Sequence, residues 1–275
     1  MATTDSKALF SVPIGSAGSV VCSQPLPKVY FLVFTSPPDN RLTPEFCKAM
    51  VTALDIVEYM LPKGVVVTTS GIPKFYSNGL DLESAINTPG FWKDSLYTLW
   101  RRLLTYPMPL VALINGHAFA GGLMTAMMHD YRIMNPHKGY LCLNEVEFGA
   151  PLRPPMASIF RDKLPRPDTF RTILLEAKRF NALEALKEGV IDGLGGPEET
   201  IKFIAEMGLT AKAESGVYGK LKEEMWRQTV RLLEQGGAVE EEDASSRINA
   251  AALYDEAALK RVKEWQSHSR SLSKL

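Results

Sequence analysis

The chain has 275 residues, 45% of them apolar, and its 31 Lys and Arg balance 31 Asp and Glu. That length allows one large domain, or a domain with an appendage, and the zero net charge excludes the basic field of a nucleic-acid or anionic-membrane binder. Cys22, Cys47 and Cys142 are too few and too scattered for a disulfide framework or a zinc site, the four histidines have no ligand spacing, and no apolar run reaches the roughly 18 residues that span a bilayer. Met1 to Lys7 lack the apolar core of a secretory signal.

In chain order, the first strand is expected at Val29 to Thr35, with Pro37-Pro38 as a turn after it. Thr43-Pro44-Glu45 predicts a helix start, Thr43 as N-cap and Pro44 at the first helical position. Phe46, Met50, Leu54, Val57 and Leu61 then form an apolar stripe at helical spacing. Val65 to Thr69 predicts a second strand, and the turn Ser77-Asn78-Gly79-Leu80-Asp81 follows it closely. Asp81 is expected to order its own loop by accepting local backbone N–H groups. Phe91, Trp92, Tyr97 and Trp100 come next, as core or as the wall of a channel.

A third strand, Leu110 to Asn115, runs directly into Gly116-His117-Ala118-Phe119-Ala120-Gly121-Gly122. Two glycine-centred turns after apolar strands are able to aim two backbone N–H groups at one point, the arrangement that stabilises an oxygen gaining negative charge. His117 lies in the second turn. Met108, Met124, Met127, Met128 and Met134 read as core. Asp130 and Arg132 read as a structural ion pair or cap. Tyr131 to Met134 and Tyr140 to Leu143 are further strands. All these strands are short and several are apolar at consecutive positions, as in strands buried on both faces.

The two turns resemble the oxyanion-hole segments of the crotonase (enoyl-CoA hydratase/isomerase) superfamily, over a stretch from about Val29 to Gly193, with a weaker echo at Leu259-Lys260-Arg261. The resemblance implies an α/β fold: a crotonase-like spiral of ββα units with a helical C-terminal region. It assigns the oxyanion donors to the backbone N–H groups of Leu80 and Gly121, and substrate binding to Ser77, Asn78, Gly79 and Met124. The substrate it implies is an acyl-CoA thioester, with no metal and no cofactor beyond the CoA of the substrate itself.

Leu143-Asn144-Glu145-Val146-Glu147-Phe148-Gly149 resembles the catalytic-glutamate segment of the Δ3,Δ2-enoyl-CoA isomerases, which places the catalytic base at Glu145. Apolar neighbours raise a carboxyl's pKa by desolvation. Glu147 is a rival: in an extended segment both share a face, in a coiled one only one reaches the substrate. Hydratases of the superfamily carry a second glutamate three residues after the second oxyanion glycine. Met124 stands there, and a thioether has no proton to give or take, so a 1,3-proton shift is favoured over hydration. Asn78 and Ala120 depart from the small residue and the glycine usual at their positions. Hydration, acyl-CoA hydrolysis and non-catalytic acyl-CoA binding are the alternatives.

Pro151 to Pro155 reads as a stiff loop, and Asn181 with Glu184 as a capping box for a helix that Gly189 ends. Strand–helix alternation stops near Gly193. The chain therefore divides into an α/β core at 1–196 and a helical region at 197–275, which the resemblance assigns to packing a homotrimer or a homohexamer. Gly236 to Asp243 reads as an exposed turn with an acidic start to the last helix, whose apolar face is Ile248, Ala252, Leu259 and Val262. Lys260 and Arg261 face either solvent or the CoA phosphates. The last tripeptide, Ser273-Lys274-Leu275, is a peroxisomal address, which predicts a peroxisomal protein and an import receptor as partner.

Overall fold

The structure is a computed structural model and describes residues 7–236 and 238–272, so Ser273-Lys274-Leu275 lies outside the described residues. The strands are β1 (Phe10–Ile14), β2 (Gly18–Leu26), β3 (Val29–Thr35), β4 (Val65–Ser70), β5 (Phe75–Ser77), β6 (Leu110–Ile114), β7 (His117–Phe119), β8 (Tyr131–Met134), β9 (Leu141–Cys142) and β10 (Gly193–Leu194). Seven of them make one sheet in the order β1-β2-β3-β4-β6-β8-β10, and β5-β7-β9 make a second, smaller one. From β3 to β10 the large sheet is parallel, as is the small one, while β1, β2 and β3 pair antiparallel.

The helices of the α/β part are α1 (Pro44–Met60), α2 (Leu82–Asn87), α3 (Thr98–Leu104), α4 (Gly121–Met127), α5 (Glu145–Phe148), α6 (Pro154–Lys163), α7 (Pro167–Leu175) and α8 (Ala182–Lys187), with a π-helix at Phe91–Tyr97. Each parallel strand β4, β6 and β8 is followed by a strand of the small sheet and then by helix. That is the expected repetition of ββα units. Every residue of β4 and β6 is buried, which explains their unbroken apolar runs. Thr43 caps α1 as expected, its Oγ1 accepting the Phe46 N–H at 3.2 Å. Asn181 and Glu184 form the predicted capping box of α8, and Gly189 ends that turn at φ +70°.

Side chains of β3 alternate between two cores, as strand geometry requires. Tyr30, Leu32 and Phe34 face the larger core with α1, α3 and α4, whereas Val29 and Phe31 join Val65, Val67, Val111 and Leu113 on the opposite face. The second face is covered by Ile204 of α9 (Pro197–Glu206) and Leu209 of α10 (Leu209–Lys212). After α11 (Tyr218–Met225), α12 (Arg227–Glu234) packs on α6, where Thr229 hydrogen-bonds to Ser158 at 2.6 Å and donates to Asp162 at 2.6 Å. The compact unit therefore runs to Glu234. The boundary read at 196/197 marks where strand–helix alternation ends, not where the packed unit ends, because the large sheet's second face needs a helical cover.

The described residues beyond Glu234 form a separate unit, dominated by α13 (Ala238–Leu272). Ile248, Leu259 and Val262 of the expected apolar face are exposed on it, as are Leu253, Tyr254 and Trp265.

Candidate active site

Strands β5 and β7 lie side by side in the small sheet, with Phe75 opposite His117 and Ser77 opposite Ala118. The two glycine turns leave the ends of these strands, so they meet. A Cβ on Gly79, whose φ is +88°, would lie 3.2 Å from Gly121 N and 3.0 Å from Phe119 O. A Cβ on Gly122 would lie 2.4 Å from Ser77 O. These glycines are the price of bringing two main chains into contact. The backbone N–H groups of Leu80 and Gly121 donate to no acceptor among the described residues. Ala120, in the second turn between β7 and α4, holds φ 48°, ψ −123°, a conformation that costs a side-chain-bearing residue strain and that clusters at functional sites.

The turns open on a cavity of about 510 Å³. Leu80, Leu82, Phe119, Met124, Phe148 and Met156 give it apolar walls. Glu145 stands in this wall at the start of α5. Its Oε2 is buried with no hydrogen-bond partner, as is Oδ1 of Asn144 beside it. Burial pushes the Glu145 pKa up to about 7, against a smaller lowering by a backbone hydrogen bond. A carboxyl tuned to that value exchanges protons at neutral pH. Because the segment is helical and not extended, Glu147 sits about 200° round the helix from Glu145; it is exposed and lines no part of the cavity.

Of the residues read as substrate-binding, Asn78 and Met124 line the cavity. Ser77 does not: its hydroxyl donates to Asn40 O at 2.7 Å and accepts the Gly79 N–H at 3.2 Å, so it supports the turn from behind. Nor does Gly79, which serves the close approach of the two turns. Asp81 caps α2, its Oδ1 accepting the Ser84 N–H at 2.8 Å. His117 lies outside the cavity; its Nδ1 accepts the Tyr140 N–H at 3.1 Å, and burial together with Lys74 and Arg179 holds its pKa below the ordinary value. Asp130 and Arg132 do not pair with each other: Asp130 binds Lys222 at 2.8 Å and Arg132 binds Asp192 at 2.7 Å. Met108, Met127, Met128 and Met134 are core.

Among the four aromatics after the first turn only Trp92 reaches the cavity; Phe91, Tyr97 and Trp100 are buried. Sequence reasoning missed Arg41, Asn144 and Arg153 as lining residues. Asn144 had a signal, as the neighbour of the proposed base. Arg153 holds its guanidinium 4.0 Å over the Trp92 ring, a contact between distant segments that only the fold creates.

Residues 28–265 match the protein family described as enoyl-CoA hydratase/isomerase. The chain belongs to that family, within the crotonase superfamily. It is 29% identical to enoyl-CoA delta isomerase 3 of Arabidopsis thaliana over 218 residues, 75% of this chain and 92% of that protein. It is 28% identical to the peroxisomal enoyl-CoA delta isomerase 1 of the same plant, over 77% of this chain and 93% of the relative. Among solved structures, the human mitochondrial Δ3,Δ2-enoyl-CoA isomerase superposes with a TM-score of 0.68 at 26% identity, covering 86% of this chain and 95% of that one. The crotonase fold expected from the two turns is therefore the fold observed, and membership makes the chain an enzyme of an acyl-CoA-binding family.

Proposed function

We propose that the chain is a Δ3,Δ2-enoyl-CoA isomerase that moves the double bond of a 3-enoyl-CoA into conjugation with the thioester, as a step of fatty acid β-oxidation. The observation that carries this reading is the cavity's acid–base inventory. Glu145 supplies one desolvated carboxyl, and Met124 fills the neighbouring wall where a second acid would be needed to activate water. The reading gains support from the isomerase names of the plant relatives.

The thioester oxygen is held by the Leu80 and Gly121 N–H groups. Glu145 takes a proton from C2, and the charge moves to the thioester oxygen as an enolate. The same carboxyl returns the proton at C4, and the double bond settles between C2 and C3. The enolate is the species that those N–H groups stabilise more than the ground state. Apolar walls keep water from competing for the carbanion. Proton transfer needs no redox group or metal, and CoA enters as part of the substrate.

Turnover in ¹⁸O-water tests this assignment. An isomerase product carries no heavy oxygen and keeps the mass of its substrate. Labelled 3-hydroxyacyl-CoA as the first product would make the enzyme a hydratase, and labelled free acid a hydrolase.

The compartment proposed is the peroxisome, on the strength of Ser273-Lys274-Leu275 and of a relative named peroxisomal. Deleting the tripeptide is expected to leave activity unchanged and to leave a tagged protein in the cytosol; unchanged import would refute the assignment. The exposed apolar side chains of α13 support assembly into a trimer, or a pair of trimers, through the C-terminal region.

A further inference from the structure

Arg41 lines the cavity beside Leu80, and two of its five N–H donors are turned on the protein itself. Its Nη1 donates to Leu80 O at 3.1 Å, and its Nε donates to the Asp39 carboxylate at 3.1 and 3.3 Å. Asp39 is 9% exposed, and its Oδ2 also accepts the side-chain amide of Asn78 at 2.6 Å. One buried carboxylate thus joins a guanidinium on one segment to the second residue of the oxyanion turn on another.

The main chain repeats the grip. Asn78 N–H donates to Asp39 O at 3.0 Å, Leu42 N–H to Gly79 O at 2.9 Å, and Asp81 N–H to Leu42 O at 3.4 Å. Asn40, at φ 54°, anchors the gripping segment from below, its amide donating to Ser70 Oγ at 2.6 Å and Tyr76 O at 3.1 Å. The geometry has a direct consequence for Leu80. Its N–H belongs to the planar peptide whose oxygen, Gly79 O, is held by Leu42. Its own carbonyl, one peptide plane on, is held by Arg41. With both flanking planes held by hydrogen bonds, the two dihedrals between them are restrained. The bonds that involve Arg41 and Asp39 are charge-assisted and so the stronger ones.

We propose that Arg41, acting with Asp39 and Asn78, is a positioning residue that aims the Leu80 N–H at the developing enolate oxygen while making no bond to the reacting atoms. The proposal rests on the isomerase reading, since it takes the Leu80 N–H to be an oxyanion donor. A misplacement of about 1 Å costs on the order of 10²-fold in rate. Arg41→Met is accordingly expected to lower kcat about 10- to 100-fold and to leave KM within about twofold. Asp39→Asn, which loosens the same clamp from its buried end, is expected to act alike, and the double variant to cost no more than the worse single one.

The test reads the enolate directly. A 3-ketoacyl-CoA loses its C2 proton easily, and its enolate has a near-ultraviolet band that the ketone lacks. Wild-type protein is expected to show that band on binding, and both variants to lose most of it. Affinity for a saturated acyl-CoA, measured by calorimetry, is expected to stay within about twofold, which also shows that the cavity is still folded. A wild-type band that survives in both variants would overturn the clamp alone. Loss of saturated acyl-CoA affinity in proportion to rate would also overturn it, by making Arg41 a ground-state contact. A wild-type protein with no enolate band would overturn the isomerase reading and the clamp with it.

Discussion

Glu145→Gln is expected to lower turnover of a 3-enoyl-CoA by about 10²–10⁴-fold, the usual range for loss of a general base. Glutamine keeps the size and polarity of the side chain but accepts no proton at neutral pH. No neighbour takes over: Met124 has no titratable group, and Glu147 lies outside the cavity on the exposed side of α5. Acyl-CoA affinity is expected to hold, because the proposed oxyanion donors are main-chain groups. Glu147→Gln is expected to cost far less, and an exchange of the two phenotypes would move the base to Glu147. The pH profile carries a second signature. With Glu145 pushed up to about 7, the wild-type kcat/KM falls tenfold for each unit below about 7 and is flat above it, since only the ionised carboxyl abstracts a proton.

The same ionisation opposes folding. A carboxyl whose folded pKa lies above its unfolded value stabilises the protein below the unfolded value, here 4.5, and that contribution is lost as pH rises through about 7. At pH 8 the Gln variant, free of a buried charge, is expected to be the more stable of the two by about 1–3 kcal/mol, and near pH 4 to have no such advantage. Chemical denaturation at the two pH values measures the difference.

Gly121→Pro is expected to lower turnover by about 10²–10³-fold by deleting one of the two proposed oxyanion donors. Gly121 is the first residue of α4, where a helix loses no internal hydrogen bond to proline. The atoms nearest a Cβ there are Cδ2 and Cγ of Leu80, both at 3.1 Å, and Cδ1 of Leu42 at 3.3 Å. Strain falls instead on Ala120, already at φ 48°, because proline restricts the residue before it. Thermal melting and saturated acyl-CoA binding separate a folding defect from a catalytic one. A folded variant with the wild-type rate would place the oxyanion site elsewhere.

What the sequence disclosed, and what it hid, follows from where the determining contacts lie. Strands β4, β6 and β8 were legible because burial on both faces leaves an apolar run or near-run. The β1–β2 hairpin was not, although Phe10, Val12 and Ile14 alternate and Gly15 turns at φ +55°; serines and a proline dilute that pattern. The three-residue strands β5 and β7 hid inside the glycine turns they position. Thr43-Pro44 and Asn181 announced their helices through local capping chemistry. At the site, motif position pointed to Glu145, but its advantage over Glu147 depended on the segment being helical, which no local signal decided. Trp92 and Phe91 are neighbours of the same type, and only the register of the π-helix turns one to the cavity and buries the other. Arg41 reads as an ordinary surface residue until the fold lays Asp39 to Leu42 along Asn78 to Asp81.

The most direct test of a one-glutamate isomerase is the ultraviolet absorbance of the conjugated thioester with two substrates in parallel. With a 3-enoyl-CoA the account predicts a rise that Glu145→Gln abolishes; with a trans-2-enoyl-CoA in the same cuvette conditions it predicts no decline. A fall in absorbance with the 2-enoyl-CoA, with no rise from the 3-enoyl-CoA, would contradict it and identify the chain as a hydratase.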